Sequence, residues 1–381
     1  MIQEAWLKEE FPIIKNKVYL NTAATGVLPQ STVKAMTKHL HEHAMNGDDK
    51  FSYFLEQMKE AKLKVSKLIN SNEHEIAFLK NTGDAINTVA YGLNWSKDDE
   101  IIINDLEFPS NYTPWSAIEQ VFKVKRRIIR SNDGYIEPEQ IAETINKKTK
   151  LIALSFVQYS SGARMPVEEI ISIAKERDVL VLLDAIQGIG VLPFDINKIK
   201  ADFVACGGHK YLISPFGVGF LYVKENVMEK LVPPFRGWLN YDPLDNYDLE
   251  SKTFAKDARR YEMGNPAFSN IIGMAQSLDL LLKVGISNIT RKVETMISLL
   301  LELFEENGYS RRFKYMHESH KRSGIINFIP KSDPNYIVQK MSDMNISIAA
   351  RFNGIRVSPH LYNFTSDIDR FIEKLIKIDK K

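Results

Sequence analysis

Two short apolar runs constrain this chain more than any other feature in it. Val179-Leu180-Val181-Leu182-Leu183 ends at Asp184, and Ala201-Asp202-Phe203-Val204-Ala205-Cys206 ends at Gly207-Gly208-His209-Lys210. Runs of this length and composition read as strands buried on both faces of a parallel sheet. Each delivers a charged side chain at its carboxyl end, the edge where open α/β sheets bind ligands. The pattern recurs from Val18 to about Val223, where β-rich runs alternate with helical periodicity. Candidate strands are Val18–Leu20, Glu75–Leu79, Glu100–Ile103, Val121–Ile129, Leu151–Ser155, Val179–Leu183, Asp202–Cys206 and Gly219–Val223. Helices are expected over Pro29–Glu42, Tyr53–Ile69, Gly83–Gly92 and Pro166–Arg177, the last with a proline suited to a first helical turn. The alternation predicts an α/β fold with a mostly parallel sheet between helices.

Lys224–Met263 has paired prolines, several aromatics and no clear period, and reads as a long loop lining a site. After Pro266 come helical patterns at Phe268–Lys283 and Ile286–Asn307, a strand at Ile325–Ile329 and a helix at Pro334–Met341. Short strands near Ile346–Ala349 and Gly354–Val357 and a helix at Ser366–Ile378 close a smaller α/β domain. A length of 381 residues fits two such domains.

Composition narrows the partners. With 50 basic and 48 acidic side chains, the net charge of +2 favours no polyanion. The basic runs Lys123–Arg130 and Arg311–Arg322 come without a nucleic-acid-binding motif and read as solvated faces. No apolar run is long enough to span a membrane, and the acidic amino terminus does not resemble a signal peptide. One cysteine, Cys206, excludes an internal disulfide and fits a reducing compartment, so a cytoplasmic location is expected.

Lys210 follows Asp184 by 26 positions, and the pair suits pyridoxal 5′-phosphate. A lysine amine forms a Schiff base with the cofactor aldehyde, while a carboxylate at the far edge of the ring keeps the pyridine nitrogen protonated. Lys80-Asn81-Thr82-Gly83-Asp84 opens a helix after a strand, as a phosphate site would, although ordinary capping by Thr82 explains the same residues. Phe108, in Glu107-Phe108-Pro109-Ser110-Asn111, is placed either to stack on a pyridine ring or to fill a core. Gln158 or Tyr159, with Gln187, would reach the cofactor's phenolic oxygen, unless they are ordinary loop polarity. Arg351 and Arg356 offer planar guanidinium groups for a substrate carboxylate, Arg356 being flanked by a short β-rich run. His39 and His43 stand one helical turn apart but lack a third ligand, so no metal site is expected.

Taken in order, these stretches resemble the class V aminotransferase family of fold-type I pyridoxal-phosphate enzymes, which includes cysteine desulfurases, selenocysteine lyases, kynureninases and isopenicillin N epimerase. The resemblance runs from Val18-Tyr19-Leu20-Asn21-Thr22-Ala23-Ala24 through KNTGDAIN, EFPSNYTPW, DAIQ and GGHK to Glu262-Met263-Gly264-Asn265-Pro266 and RVSPHLYN. It implies a large domain at 18–262 built on a mostly parallel seven-stranded sheet, a small domain at 263–381, and a segment 1–17 packing with the small domain. It further implies Lys210 as Schiff-base lysine, Asp184 as pyridinium partner, Gln187 as donor to the phenolic oxygen and Phe108 as stacking ring. Thr82, Gly83 and His209 would meet the phosphate, and Arg356 the substrate carboxylate. Asn265 would reach the neighbouring subunit's phosphate in a homodimer with shared sites, completed by the 224–263 loop.

Desulfurases of the family carry a nucleophilic cysteine on a loop before the carboxylate-binding arginine. Here only Phe352-Asn353-Gly354-Ile355 separate Arg351 from Arg356, and Cys206 lies on a strand. Phe108 also replaces the usual histidine. The strings EFPSN and RVSPHLYN look most like the isopenicillin N epimerase-like branch. The expectation is an amino-acid-converting enzyme, either an aminotransferase or an epimerase or C–S lyase lacking the desulfurase cysteine. The alternatives are desulfurase or selenocysteine lyase chemistry, or a non-catalytic scaffold.

Overall fold

The computed structural model describes residues 4–379 except 48, 245–247, 249 and 251. Positions 1–3 of the expected amino-terminal segment and five positions of the expected 224–263 loop therefore lie outside the described residues. Eight strands precede residue 224: β1 (Val18–Tyr19), β2 (Ile76–Leu79), β3 (Glu100–Asn104), β4 (Lys125–Ile129), β5 (Thr149–Ser155), β6 (Leu180–Asp184), β7 (Phe203–Gly207) and β8 (Gly219–Val223). Seven of them form one sheet in the order β2-β8-β7-β6-β5-β3-β4. The pairs from β7 through β6, β5 and β3 to β4 are parallel, whereas β8 runs antiparallel to both β7 and β2. The short β7-to-β8 connection explains that reversal, because a parallel crossover needs a longer path. It also leaves residues 208–218, with Lys210, as a tight loop at the carboxyl end of β7.

Alternation along each strand divides the interior into two cores. Val181, Leu183, Val204 and Cys206 face one, and Leu182, Phe203 and Ala205 face the other. The second core is closed by Ala85, Ile86 and Val89 of helix Thr82–Gly92 and by Trp115 and Ile118 of helix Thr113–Phe122. The first is covered by helices including Phe51–Ile69, Val167–Lys175 and Phe268–Val284.

Three expectations need correction. The Val18–Leu20 run does not join the large sheet: β1 pairs in parallel with β13 (Ile346–Ser347), and Asn21 bridges to Ser358. A run of three residues is too short for its pattern to specify a sheet, and the distant carboxyl-terminal strands supply its partners. The Val121–Ile129 run is split, because the preceding helix extends to Phe122 and Lys123 takes a left-handed conformation before β4. Pro166 is the N-cap of its helix rather than its first residue.

Between 224 and 263 the chain is mostly irregular, with short 3-10 turns and a two-stranded ladder of β9 (Tyr241–Asp242) and β10 (Thr253–Phe254). The carboxyl-terminal part holds an antiparallel sheet of β11 (Ser310–Arg311), β12 (Ile326–Ile329), β15 (Gly354–Val357) and β14 (Ala349–Arg351), in that spatial order. Helices Ile286–Glu306 and Thr365–Ile378 pack against it. Among the described residues no helix is long and apolar enough to cross a membrane.

Phe328 of β12 is fully buried, with ring centroids 4.1 Å from Phe304 and 5.6 Å from Tyr309. Phe328→Ala should cost about 3–5 kcal/mol in urea denaturation through the cavity it leaves. A loss below about 1 kcal/mol would contradict close packing of this sheet.

Candidate active site

A cavity of about 460 Å³ opens at the carboxyl edge of the large sheet. Asp184, the last residue of β6, enters it from below, and Lys210 enters from the loop after β7. Both side chains are buried, at 3% and 8% exposure. Burial raises the Asp184 pKa above the usual carboxylate range even though the Ile186 N–H donates to its Oδ1 over 3.1 Å. Burial likewise lowers Lys210 below the ordinary lysine range, and the charge of Asp184 restrains that shift. The result is a lysine amine able to be neutral, and so nucleophilic, nearer physiological pH than a solvated one.

One end of the cavity is the start of helix Thr82–Gly92. Asn81 caps it, accepting from Asp84 N at 2.9 Å, and Thr82 Oγ1 accepts from Gly207 N at 2.9 Å. Gly83 lines the cavity here, and a Cβ on it would come within 3.2 Å of Asn81 Oδ1. The free N–H groups of a helix's first turn suit an anion. His209 borders the cavity and stacks on Phe216 at 5.2 Å; burial first, and Lys210 second, lower its pKa to about 4, so it is a neutral hydrogen-bonding group.

The cavity wall is aromatic. Phe108 remains 40% exposed, which leaves its face open, and its centroid is 5.3 Å from Lys210 Nζ. Tyr159 meets the Phe108 ring edge-on at 5.0 Å. Gln187 Nε2 donates to Ala23 O at 3.0 Å, while its Oε1 is buried without a partner.

Arg356 approaches from β15 and is 2% exposed. Its Nη1 donates to Tyr159 O at 2.9 Å, and its Nε is buried without a partner. Burial, and then the charge of Arg351, lower its pKa to about 10. Such a guanidinium, in a cavity with no acidic side chain bonded to it among the described residues, suits a ligand carboxylate. Arg351 lines the same cavity from the end of β14. It pairs with Gly354 across a two-residue turn in which Phe352 and Asn353 have φ of 55° and 56°. That turn leaves no room for an intervening catalytic loop.

Of the pair Gln158 and Tyr159, only Tyr159 lines the cavity, and Asn265, expected to serve a neighbouring subunit, lies outside it. Gln158 does not line the cavity, because its Nε2 donates to Glu107 Oε1 at 3.1 Å. Asn265 lines a separate cavity with Lys80, Asp84 and Glu262. The same separate cavity takes in Leu239 and Met263, and no described residue of 224–263 lines the Lys210 cavity of its own chain. Conversely, Asn21, Ala23 and Ser110 take part in the site although the sequence reading assigned them nothing. All three lie inside strings that carry the family resemblance, Asn21 and Ala23 in VYLNTAA and Ser110 in EFPSNYTPW.

The sequence model of the family described as Aminotransferase class-V matches residues 18–371. A probable cysteine desulfurase of Methanothermobacter thermautotrophicus is 29% identical, over 98% of this chain and 97% of that protein. The apo cysteine desulfurase of Thermococcus onnurineus NA1 superposes with a TM-score of 0.91 at 23% identity, covering 100% of this chain and 98% of the other. The cystine C–S lyase C-DES, solved with its product cysteine persulfide, gives a TM-score of 0.90 at 22% identity, covering 97% and 100%. At these identities the two structures bear on the fold, which this chain shares.

Cys206 is the one cysteine; it is fully buried, and burial raises its thiol pKa well above the usual range. The native protein should therefore give no thiol reaction with Ellman's reagent, and one equivalent after guanidinium denaturation. Rapid reaction of the native protein would contradict the placement of Cys206 in the core.

Proposed function

The chain belongs to the class V aminotransferase family, and from that premise we propose that it is a pyridoxal-phosphate enzyme that cleaves the C–S bond of a cysteine-type amino acid without an enzyme thiol. One observation carries the second half. The single cysteine is buried on β7, and the Arg351–Gly354 turn leaves no loop there for another nucleophile, which supports departure of sulfur directly to solvent. The curated relative named above favours sulfur chemistry, as its name, probable cysteine desulfurase, does. It gives no support to the epimerase branch suggested by EFPSN and RVSPHLYN.

The cavity fits the cofactor. Lys210 would hold its aldehyde carbon, Asp184 its pyridine nitrogen, and the Thr82–Gly83 turn with His209 its phosphate. Phe108 and Tyr159 would wall the ring, and Gln187 Nε2, which has a second N–H beyond the one given to Ala23 O, would donate to the ring's phenolic oxygen. When bound, pyridoxal phosphate supplies an electron sink that makes the substrate Cα–H acidic. The remaining work falls to this chain. Arg356 fixes the substrate carboxylate and so orients the Cα–H bond toward Lys210, whose lowered pKa lets its Nζ accept the proton. Overall, the Cα–H and Cβ–S bonds break and sulfur departs with the C–S electron pair and is protonated. Water then converts the carbon skeleton to pyruvate and ammonia.

The test is turnover of L-cystine and S-substituted L-cysteines, followed by thiol or persulfide and pyruvate release in equal amounts. Cys206→Ala should keep the rate within about twofold, because the thiol is not in the reaction, and Lys210→Ala should lower it at least ~10³-fold. Loss of sulfur release in a folded Cys206→Ala protein would contradict the proposal. So would a keto acid formed with amination of the cofactor and no released thiol, which would mark a transaminase.

Lys210 also sets a pH dependence. Its folded pKa is depressed, so the neutral amine is present at a lower pH than for solvated lysine. Capture of pyridoxal phosphate by the apo protein should speed up as pH rises and level off below the ordinary lysine value of about 10.4. A midpoint at or above that value would contradict burial of the amine.

A further inference from the structure

One buried carboxylate beside the cavity has no part in the chemistry above. Glu107 is 7% exposed, and its hydrogen-bond partners among the described residues are all uncharged. Instead its Oε1 accepts from Asn104 Nδ2 at 2.6 Å, Ser155 N at 2.8 Å and Gln158 Nε2 at 3.1 Å. Its Oε2 accepts from Asn111 Nδ2 at 2.8 Å and Ser155 Oγ at 2.6 Å. Five donors converging on two oxygens, with no acceptor facing them, match an ionised carboxylate. Burying that charge costs several kcal/mol before its hydrogen bonds offset it. An apolar residue would fill the same volume without that cost, so stability alone does not account for a carboxylate here.

The donors come from separate pieces of chain: the end of β3, the end of β5, the loop after β5 and the turn before helix Thr113–Phe122. Glu107 immediately precedes Phe108, and its partner Gln158 immediately precedes Tyr159. Those two neighbours form the aromatic wall over Lys210, and the backbone carbonyl of Tyr159 receives Arg356 Nη1. We infer that Glu107 is a positioning residue: its carboxylate locks together the two loops that carry Phe108 and Tyr159, and its negative charge bears on Asp184. The inference rests on the reading that this cavity takes pyridoxal phosphate. Burial raises Asp184 most, and the charge of Glu107 adds to that rise. Around Lys210 the other charged or titratable groups are Asp184, Arg356, Cys206 and Arg351, with His209 adjacent, and none of them changes when Glu107 is replaced.

The holoenzyme tests this with three variants and two readouts that need no substrate. Glu107→Gln removes the charge and turns one acceptor into a donor. Gln158→Leu keeps the charge but releases the Tyr159 loop. Glu75→Gln is the control, since Glu75 is also buried and bonded to Tyr222, Glu225 and Asn72 but has no link to the wall. In Glu107→Gln the pH midpoint of the cofactor's visible absorbance should move down, as loss of the negative charge acting on Asp184 disfavours protonation. The cofactor's circular dichroism band should weaken, and kcat with L-cystine should fall about 10–100-fold. In Gln158→Leu the midpoint should stay and the dichroism and kcat should fall. Glu75→Gln should lower thermal stability alone. If Glu107→Gln matches Glu75→Gln, losing stability with midpoint, dichroism and kcat unmoved, the positioning role is overturned. Should Glu107→Gln fail to fold, unaltered dichroism and kcat in Gln158→Leu would overturn it equally. Because midpoint and dichroism are read without substrate, an enzyme that proves not to cleave C–S bonds leaves this test intact.

Discussion

The burial of Lys210 and Asp184 in one cavity is the constraint on which the rest of the structure depends. Two ionisable groups this far from water are costly, and burial pushes each toward its neutral form. They are held by the stiffest part of the molecule. Asp184 ends β6 opposite Ala205 of β7, in a parallel pair at the middle of a seven-stranded sheet with a packed core on either face. The loop carrying Lys210 is closed by Gly208 N to Val218 O at 2.9 Å and Ser214 N to Gly208 O at 2.9 Å. Gly26 N donates to His209 O at 2.8 Å, and a Cβ on Gly26 would stand 2.1 Å from Lys210 O. No side chain fits at 26 without moving the lysine.

Distant parts of the chain are then drawn toward this pair. Leu20 and Ser358 exchange backbone hydrogen bonds with their neighbours across the junction, and Thr22 Oγ1 lies 2.6 Å from Tyr362 Oη. These links bring Asn21 beside Arg356, whose Nη2 donates to Asn21 Oδ1 over 3.5 Å, and set Ala23 in the cavity wall. The amino-terminal segment thus joins the carboxyl-terminal sheet to the large one, and the groups suited to a substrate carboxylate and to a cofactor ring come to face the same space. Chemistry that needs an oriented Cα–H bond gains most from such fixed placement.

Much of this was legible in the sequence because it follows from period and position. Strands such as Leu180–Asp184 and Gly219–Val223 announce themselves by composition, and the carboxyl-end rule locates the cavity without further knowledge. Lys210, Asp184, Phe108 and Arg356 all sit at strand ends or on a strand beside the edge. What the sequence hid depends on long-range pairing. Nothing in Val18–Leu20 specifies β13 as its partner, and nothing local tells Tyr159 from Gln158. The structure separates those two neighbours because Glu107 captures Gln158, which turns it from the cavity while Tyr159 faces in. Nothing local marks Glu107 either, because its five donors come from four separate stretches of chain.

The most direct test of the account is to treat the protein loaded with pyridoxal phosphate with borohydride and map the modified peptide by mass spectrometry. The account predicts a single phosphopyridoxyl group, on Lys210, with none gained when Lys210 is changed to alanine. A label on another lysine, or a protein that takes up no cofactor, would contradict it.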